Sequence, residues 1–149
     1  MHDIISALKA LADPTRLRVI VLLVQVPDGV CVCELVDALR LPQYQVSRHL
    51  SLLRAARLVE GRRRGTWVFY RLRSGLPRAV TRVLRAIGAA GSDGPAAEDR
   101  QRLHRRLRLR QDGVCVVGYV PDHPFREIIP VRPLPVSKGA THHAPSTHP

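Results

Sequence analysis

Apolar positions recur at helical spacing along residues 3–90. Ile4, Ile5, Leu8 and Leu11 share one face and predict a short first helix. Asp13-Pro14 then has the chemistry of a helix start, with Asp as N-cap and Pro in the first helical position. The second helix carries Leu17, Ile20, Val21 and Val24 inward and stops at Pro27-Asp28-Gly29. Val32, Leu35, Val36 and Leu39 predict a third helix from about Val32 to Arg40, broken at Leu41-Pro42. A fourth follows from about Gln43 to Ala56, with Val46, Leu50 and Leu53 inward. Two helices joined by so short a link, the second polar outside, form the helix-turn-helix pattern.

Helical periodicity then gives way to strand chemistry. Leu58-Val59-Glu60, the Gly-bounded turn Gly61-Arg62-Arg63-Arg64-Gly65, and the β-branched and aromatic run Thr66 to Leu72 read as a hairpin. Ser74 and Pro77 open a further helix to about Ala90, with Val80, Val83, Leu84 and Ile87 on one face. The fold class expected is mostly α with a small β-hairpin, a winged helix-turn-helix. Gly91 to Pro95 marks a boundary, so residues 3–90 form the domain and 91–149 an extension. Within the extension a short basic helix or a hairpin is expected at 98–120, with Asp112-Gly113 as a turn. From Pro121 onward Pro, His, Ser and Thr accumulate and predict a partly disordered tail.

Composition narrows the function. The 149 residues leave no room for two large domains, and with only six aromatic residues the core must be aliphatic. Twenty-four basic residues against 12 acidic ones give a formal charge of +12, which calls for a polyanionic partner. All the basic residues except Lys9 and Lys138 are Arg, whose fork suits phosphates and guanine edges. Residues 1–91 hold 15 basic and 6 acidic side chains, against 9 and 6 beyond, so the charge belongs mainly to the domain. The longest apolar run, Val19 to Val24, is far short of a membrane span, and no signal peptide is apparent. A cytoplasmic protein with reduced thiols is expected. No paired carboxylates, Ser/His/Asp set or Gly-rich phosphate loop argues for an enzyme, and no cofactor is required.

The fourth helix would enter the major groove, where side chains distinguish all four base pairs. With Val46, Leu50 and Leu53 buried, Tyr44, Gln45, Arg48 and Ser51 point outward, and Ser47 and His49 lie at the edges. Gln45 and Arg48 suit adenine or guanine edges, while Gln43, Ser47 and His49 suit phosphates. Arg62, Arg63 and Arg64 at the hairpin tip suit a wing on the DNA backbone. A polar helix face is also often only solvated, and a lone His is often a packing or capping residue.

Three blocks in order, Ala10 to Arg18, Gln45 to Leu50, and Arg63 to Leu72, resemble the ArsR/SmtB family of metalloregulatory repressors. The resemblance covers about residues 4–88. It implies a homodimer joined through the first and last helices of the domain, bound to double-stranded operator DNA of two-fold symmetry.

Val30-Cys31-Val32-Cys33-Glu34-Leu35 is the candidate sensing block. In the family, Cys-Val-Cys at this place marks arsenite and antimonite responders, and it contributes to the soft-metal site of cadmium and lead sensors. Paired thiolates in any case select soft ions. A helix N-terminus would also lower the thiol pKa values. The segment has the layout of a capping box, with Cys31 in the place of Ser and Glu34 at the third helical position. If both thiols were helical, at about 100° per residue, they would diverge. Chelation is therefore expected to unwind the first turn and displace the recognition helix. Many family members add a third Cys three residues after the second, where this chain has Val36. Cys115 is the remaining thiol and a candidate third ligand, from its own or the partner subunit, although a Cys among valines is also an ordinary buried residue. The family's zinc site on the last dimer helix has no counterpart in Ala79 to Ala90. His142, His143 and His148 would hold an ion only loosely.

The leading expectation is a repressor that As(III) or Sb(III) releases from DNA by binding Cys31 and Cys33. A Cd/Pb-responsive or thiol-redox-responsive repressor of the same fold is one alternative. An intracellular metal-buffering thiol protein is the alternative from another class.

Overall fold

The computed structural model describes residues 2–91 and 93–116. The tail expected from Pro121, with His142, His143 and His148, lies outside the described residues. Among these, α1 (His2–Leu11) and α2 (Pro14–Gln25) meet at Asp13, whose carboxylate accepts the Arg16 N–H at 2.9 Å. That bond satisfies an amide the helix cannot, as the Asp-Pro pair predicts. Val19 to Leu23 are all buried, so α2 is enclosed on every side rather than along one stripe; the expected Leu17 and Val24 are only half-buried. It packs against α3 (Val32–Leu39), α4 (Gln43–Ala55), α5 (Arg78–Ala90) and α6 (Gly94–Leu107).

α3 ends at Arg40 in the left-handed region (φ 54°), and Leu41-Pro42 turns the chain into α4, which buries Val46, Leu50 and Leu53 as expected. The wing strands β2 (Val59–Arg64) and β3 (Trp67–Leu72) pair antiparallel around Gly65-Thr66. This moves Arg62, Arg63 and Arg64 from the expected tip onto the strand, opposite Phe69, Val68 and Trp67. A third strand, β1 (Val30–Cys31), pairs with β3 through Val30–Tyr70 and Cys31–Phe69, giving the order β1-β3-β2. Its two residues are too few to show alternation in sequence. Gly29 admits it: at φ +99° a Cβ there would sit 3.1 Å from the Phe69 Cβ.

α5 opens at Arg78 with Pro77 as its cap, later than Ser74, because Gly75 at φ 74° still belongs to the turn. The face of α1 that carries Ile4, Ile5 and Leu8 is exposed, at 37%, 48% and 52%, while Ala7 and Leu11 turn inward. Residues 93–116 remain packed on the domain. α6 lies along α3 and α2 and buries Leu103, Asp99 and Arg106. None of the described helices is long and apolar enough to cross a membrane.

Candidate metal centre

Cys31 is the last residue of β1 and the N-cap of α3, with extended backbone (φ −81°, ψ 163°). Cys33 lies in the first helical turn. The Cys31 N–H donates to Glu34 Oε2 at 2.9 Å, which is the carboxylate half of a capping box. Because only one of the two cysteines is helical, their sulfurs converge with that turn intact, 2.8 Å apart. The unwinding expected from two helical cysteines is not required to bring the pair together.

Cys115 arrives from the extension. After α6, Gln111 and Val114 exchange backbone hydrogen bonds of 3.0 and 2.9 Å around Asp112-Gly113. Both turn residues have positive φ (50° and 73°), as a type I′ turn demands. The return brings Cys115 Sγ to 3.3 Å from Cys33 Sγ, and all three sulfurs lie within 4.8 Å of one another. Cys31 and Cys115 are buried with Phe69, and Cys33 is half-buried beside Trp67 and Val114. Val36 stays in the core at 2% exposure, as its sequence position suggested.

Among the described residues, Glu34, Asp37, Arg106 and Arg110 lie around the thiols, and of these Glu34 had been singled out from sequence. Glu34 is fully buried and takes two hydrogen bonds of 2.7 Å from Arg110, which also donates to the Gly29 carbonyl at 2.8 Å. Arg106, 5% exposed, donates through Nε to Asp37 at 2.5 Å, and its Nη2 lies 3.7 Å from Cys115 Sγ. Arg110 lies over the Phe69 ring at 5.3 Å, and exposed Arg64 over the same ring at 5.4 Å. Further along, Asp99 receives Arg18 at 2.6 and 2.8 Å and Arg102 at 2.5 Å. The spacing of Arg102, Arg106 and Arg110, four residues apart, was the signal available in sequence, since such positions share a helix face.

The thiol pKa values move against the helix-dipole expectation. The neighbouring Cys115 sulfur, with burial, pushes Cys33 up to about 12, against the opposing effects of Cys31 and Arg106. Cys31 is also raised, by Cys115, Cys33 and burial.

On α4, Gln43, Tyr44 and Arg48 are exposed, and Gln45 and Ser47 are half-exposed. Tyr44 stands 70% exposed and its hydroxyl accepts from Gln45 Nε2 at 3.1 Å. His49 instead turns toward α2, its Nδ1 3.8 Å from Asp13 Oδ1. On β2, Arg62, Arg63 and Arg64 are exposed, with Arg62 Nε 3.5 Å from Glu60.

A helix-turn-helix followed by an arginine-rich wing defines the class: a winged-helix, DNA-binding transcriptional regulator. Residues 13–61 match the bacterial regulatory protein arsR family. The chain is 37% identical over 107 residues to the arsenic resistance transcriptional regulator ArsR2 of Pseudomonas putida, covering 72% of this chain and 92% of that protein. With ArsR1 of the same organism it shares 42% identity over 85 residues, 57% of this chain and 66% of that one. Among solved structures, the transcriptional repressor BigR from Xylella fastidiosa superposes with a TM-score of 0.52 at 29% identity, over 62% of this chain and 90% of that chain. The chain belongs to the arsR family.

Proposed function

We propose that the protein is a homodimeric repressor that As(III) or Sb(III) releases from operator DNA, with Cys31, Cys33 and Cys115 of one subunit as the ligands. The observation that carries this reading is the convergence of three sulfurs within 4.8 Å. Soft, thiol-rich sites favour soft ions, and three sulfurs answer the trivalency of the metalloid. The arsenic-resistance regulators named above support the same inducer. Tyr44, Gln45 and Arg48 read bases in this proposal, while Gln43, Ser47 and Arg62 to Arg64 hold phosphates. His49 supports the helix through Asp13.

The inducer can shift the DNA-binding equilibrium only through its differential affinity for two conformations. Drawing three sulfurs onto one centre pulls on the start of α3, which opens the helix-turn-helix. It also pulls on Phe69 of β3, the central strand of the wing. Both DNA-contacting elements thus share a boundary with the site. The test is fluorescence anisotropy of reduced protein on its own upstream DNA, titrated with arsenite. Release at near-stoichiometric arsenite is expected, lost in Cys33→Ser and weakened in Cys115→Ser. Release by oxidant and not by arsenite would move the assignment to a redox sensor.

A further inference from the structure

The extension holds α3 at both ends. At the start, Cys115 Sγ lies 3.3 Å from Cys33 Sγ, and Arg110 donates to Glu34 at 2.7 Å. The other end lies about 12 Å away, across a helix of eight residues. There Arg102 Nε donates to the Ala38 carbonyl at 2.6 Å and Arg18 Nη2 to the Leu39 carbonyl at 3.1 Å. The last carbonyls of a helix have no partner within it, so these donors from other elements supply the C-terminal cap. Both arginines are held at 2.5–2.8 Å by one carboxylate, Asp99 of α6, which has no solvent exposure. Arg18 belongs to α2 and Arg102 to α6, so the end of α3 is gripped from two sides. Only Arg40, Leu41 and Pro42 connect that end to α4, and the Pro42 carbonyl accepts the Gln45 and Val46 amides at 3.0 and 3.2 Å. The end of α3 therefore fixes where α4 begins.

We infer that Arg18, Asp99 and Arg102 are positioning residues, which pass inducer binding from the extension to the end of α3 and so to the recognition helix. The inference rests on the three-thiol reading above. The start of α3 is tethered, because Val30 and Cys31 are buried and paired with Tyr70 and Phe69 of β3. Cys115 instead arrives on the tight Asp112-Gly113 turn that follows α6. An ion bound among three sulfurs sets their spacing, so part of the adjustment falls on Cys115 and α6. α6 cannot slide along α3 without carrying the Ala38 and Leu39 carbonyls with it or breaking buried, charge-assisted hydrogen bonds. Breaking them strands a buried carboxylate, which is the costlier course. Movement of α6 is thus delivered to the three-residue link into α4.

The test is how far saturating arsenite weakens binding of the reduced full-length protein to its own upstream DNA, in the parent chain and in Arg18→Gln and Arg102→Gln. Each single change leaves Asp99 one arginine, so the carboxylate is not stranded. Both variants should bind arsenite alone and DNA alone within about threefold of the parent, while the factor by which arsenite weakens DNA binding shrinks on the order of tenfold, the scale one residue in a coupling network contributes. Affinities for arsenite and DNA that both fall while that factor stays at the parent value would assign the residues a merely structural role and overturn the inference. Variants indistinguishable from the parent in all three measures would overturn it too. If neither variant folds, hydrogen exchange of the parent chain decides. Arsenite should then change protection in residues 94–107 and 39–46 together, and a change confined to residues 30–36 would overturn the inference. A parent chain whose DNA binding ignores arsenite, or that binds arsenite no better than Cys33→Ser does, would overturn the three-thiol reading itself, and the inference with it.

Discussion

A carboxylate with no solvent exposure is costly to bury unless its oxygens are hydrogen-bonded, and Glu34 has three donors. One donor is the Cys31 amide, which fixes the N-cap. The other two belong to Arg110, which ties the extension to the domain. Glu34→Ala should therefore cost about 3–5 kcal/mol in urea unfolding, the range for breaking a buried pair and stranding its cation. Asp13 illustrates a smaller residue-scale effect. The Arg16 amide holds its carboxyl below the ordinary range, with burial opposing. A depressed carboxyl stabilises the fold above its unfolded pKa, about 3.9, and that contribution fades as pH falls through the lower folded value. Asp13→Ala should cost about 1 kcal/mol at pH 7. Its unfolding midpoint should converge with that of the parent chain as pH falls below the unfolded value; a gap unchanged by acid would assign the loss to packing instead.

At the scale of elements, most helices were legible because their apolar residues recur at a period that only a helix buries. Asp13-Pro14, Leu41-Pro42 and Gly65 also marked boundaries where the structure has them. Local signals failed where an element is specified from outside itself. β1 exists because Phe69 and Tyr70 offer it a strand edge, and α2 is buried all round because α5 and α6 close on it from distant sequence. Cys115 could be named a candidate only as the remaining thiol; its approach to Cys33, 82 residues away, depends on the docking of α6, which no local signal specifies. The α2–α5 contact supplies a test at this scale. A Cβ added at Gly88 would lie 2.8 Å from Val24 Cγ1. Gly88→Ala should thus destabilise the fold by about 1–3 kcal/mol in thermal or urea unfolding, although Ala is the better helix former. A gain in stability would show that α5 can move away from α2 at little cost.

For the whole molecule, the uncovered apolar positions set the next question. Ile4, Ile5 and Leu8 on α1 and Val83 on α5 stay 37–52% exposed, and the two helices border one cleft of about 220 Å³ whose walls include Ala7 and Val80. Apolar side chains grouped near the end helices of a basic protein are best accounted for by a second copy of the chain, because a polyanion would not cover them. A two-fold dimer would also set two α4 helices at the spacing of successive major grooves, so that each half-site adds to the other. Leu8→Glu leaves the monomer core intact, since its side chain contributes little to it, yet places a charge in the proposed interface. Sedimentation should show the mass falling to that of one chain, with the unfolding midpoint measured at low concentration little changed. Operator affinity should drop steeply, while the weak, salt-sensitive binding to unrelated DNA persists, because phosphate contacts from one subunit need no partner. A variant that remains dimeric would place the interface elsewhere. A monomeric variant with undiminished operator affinity would make each winged helix an independent reader.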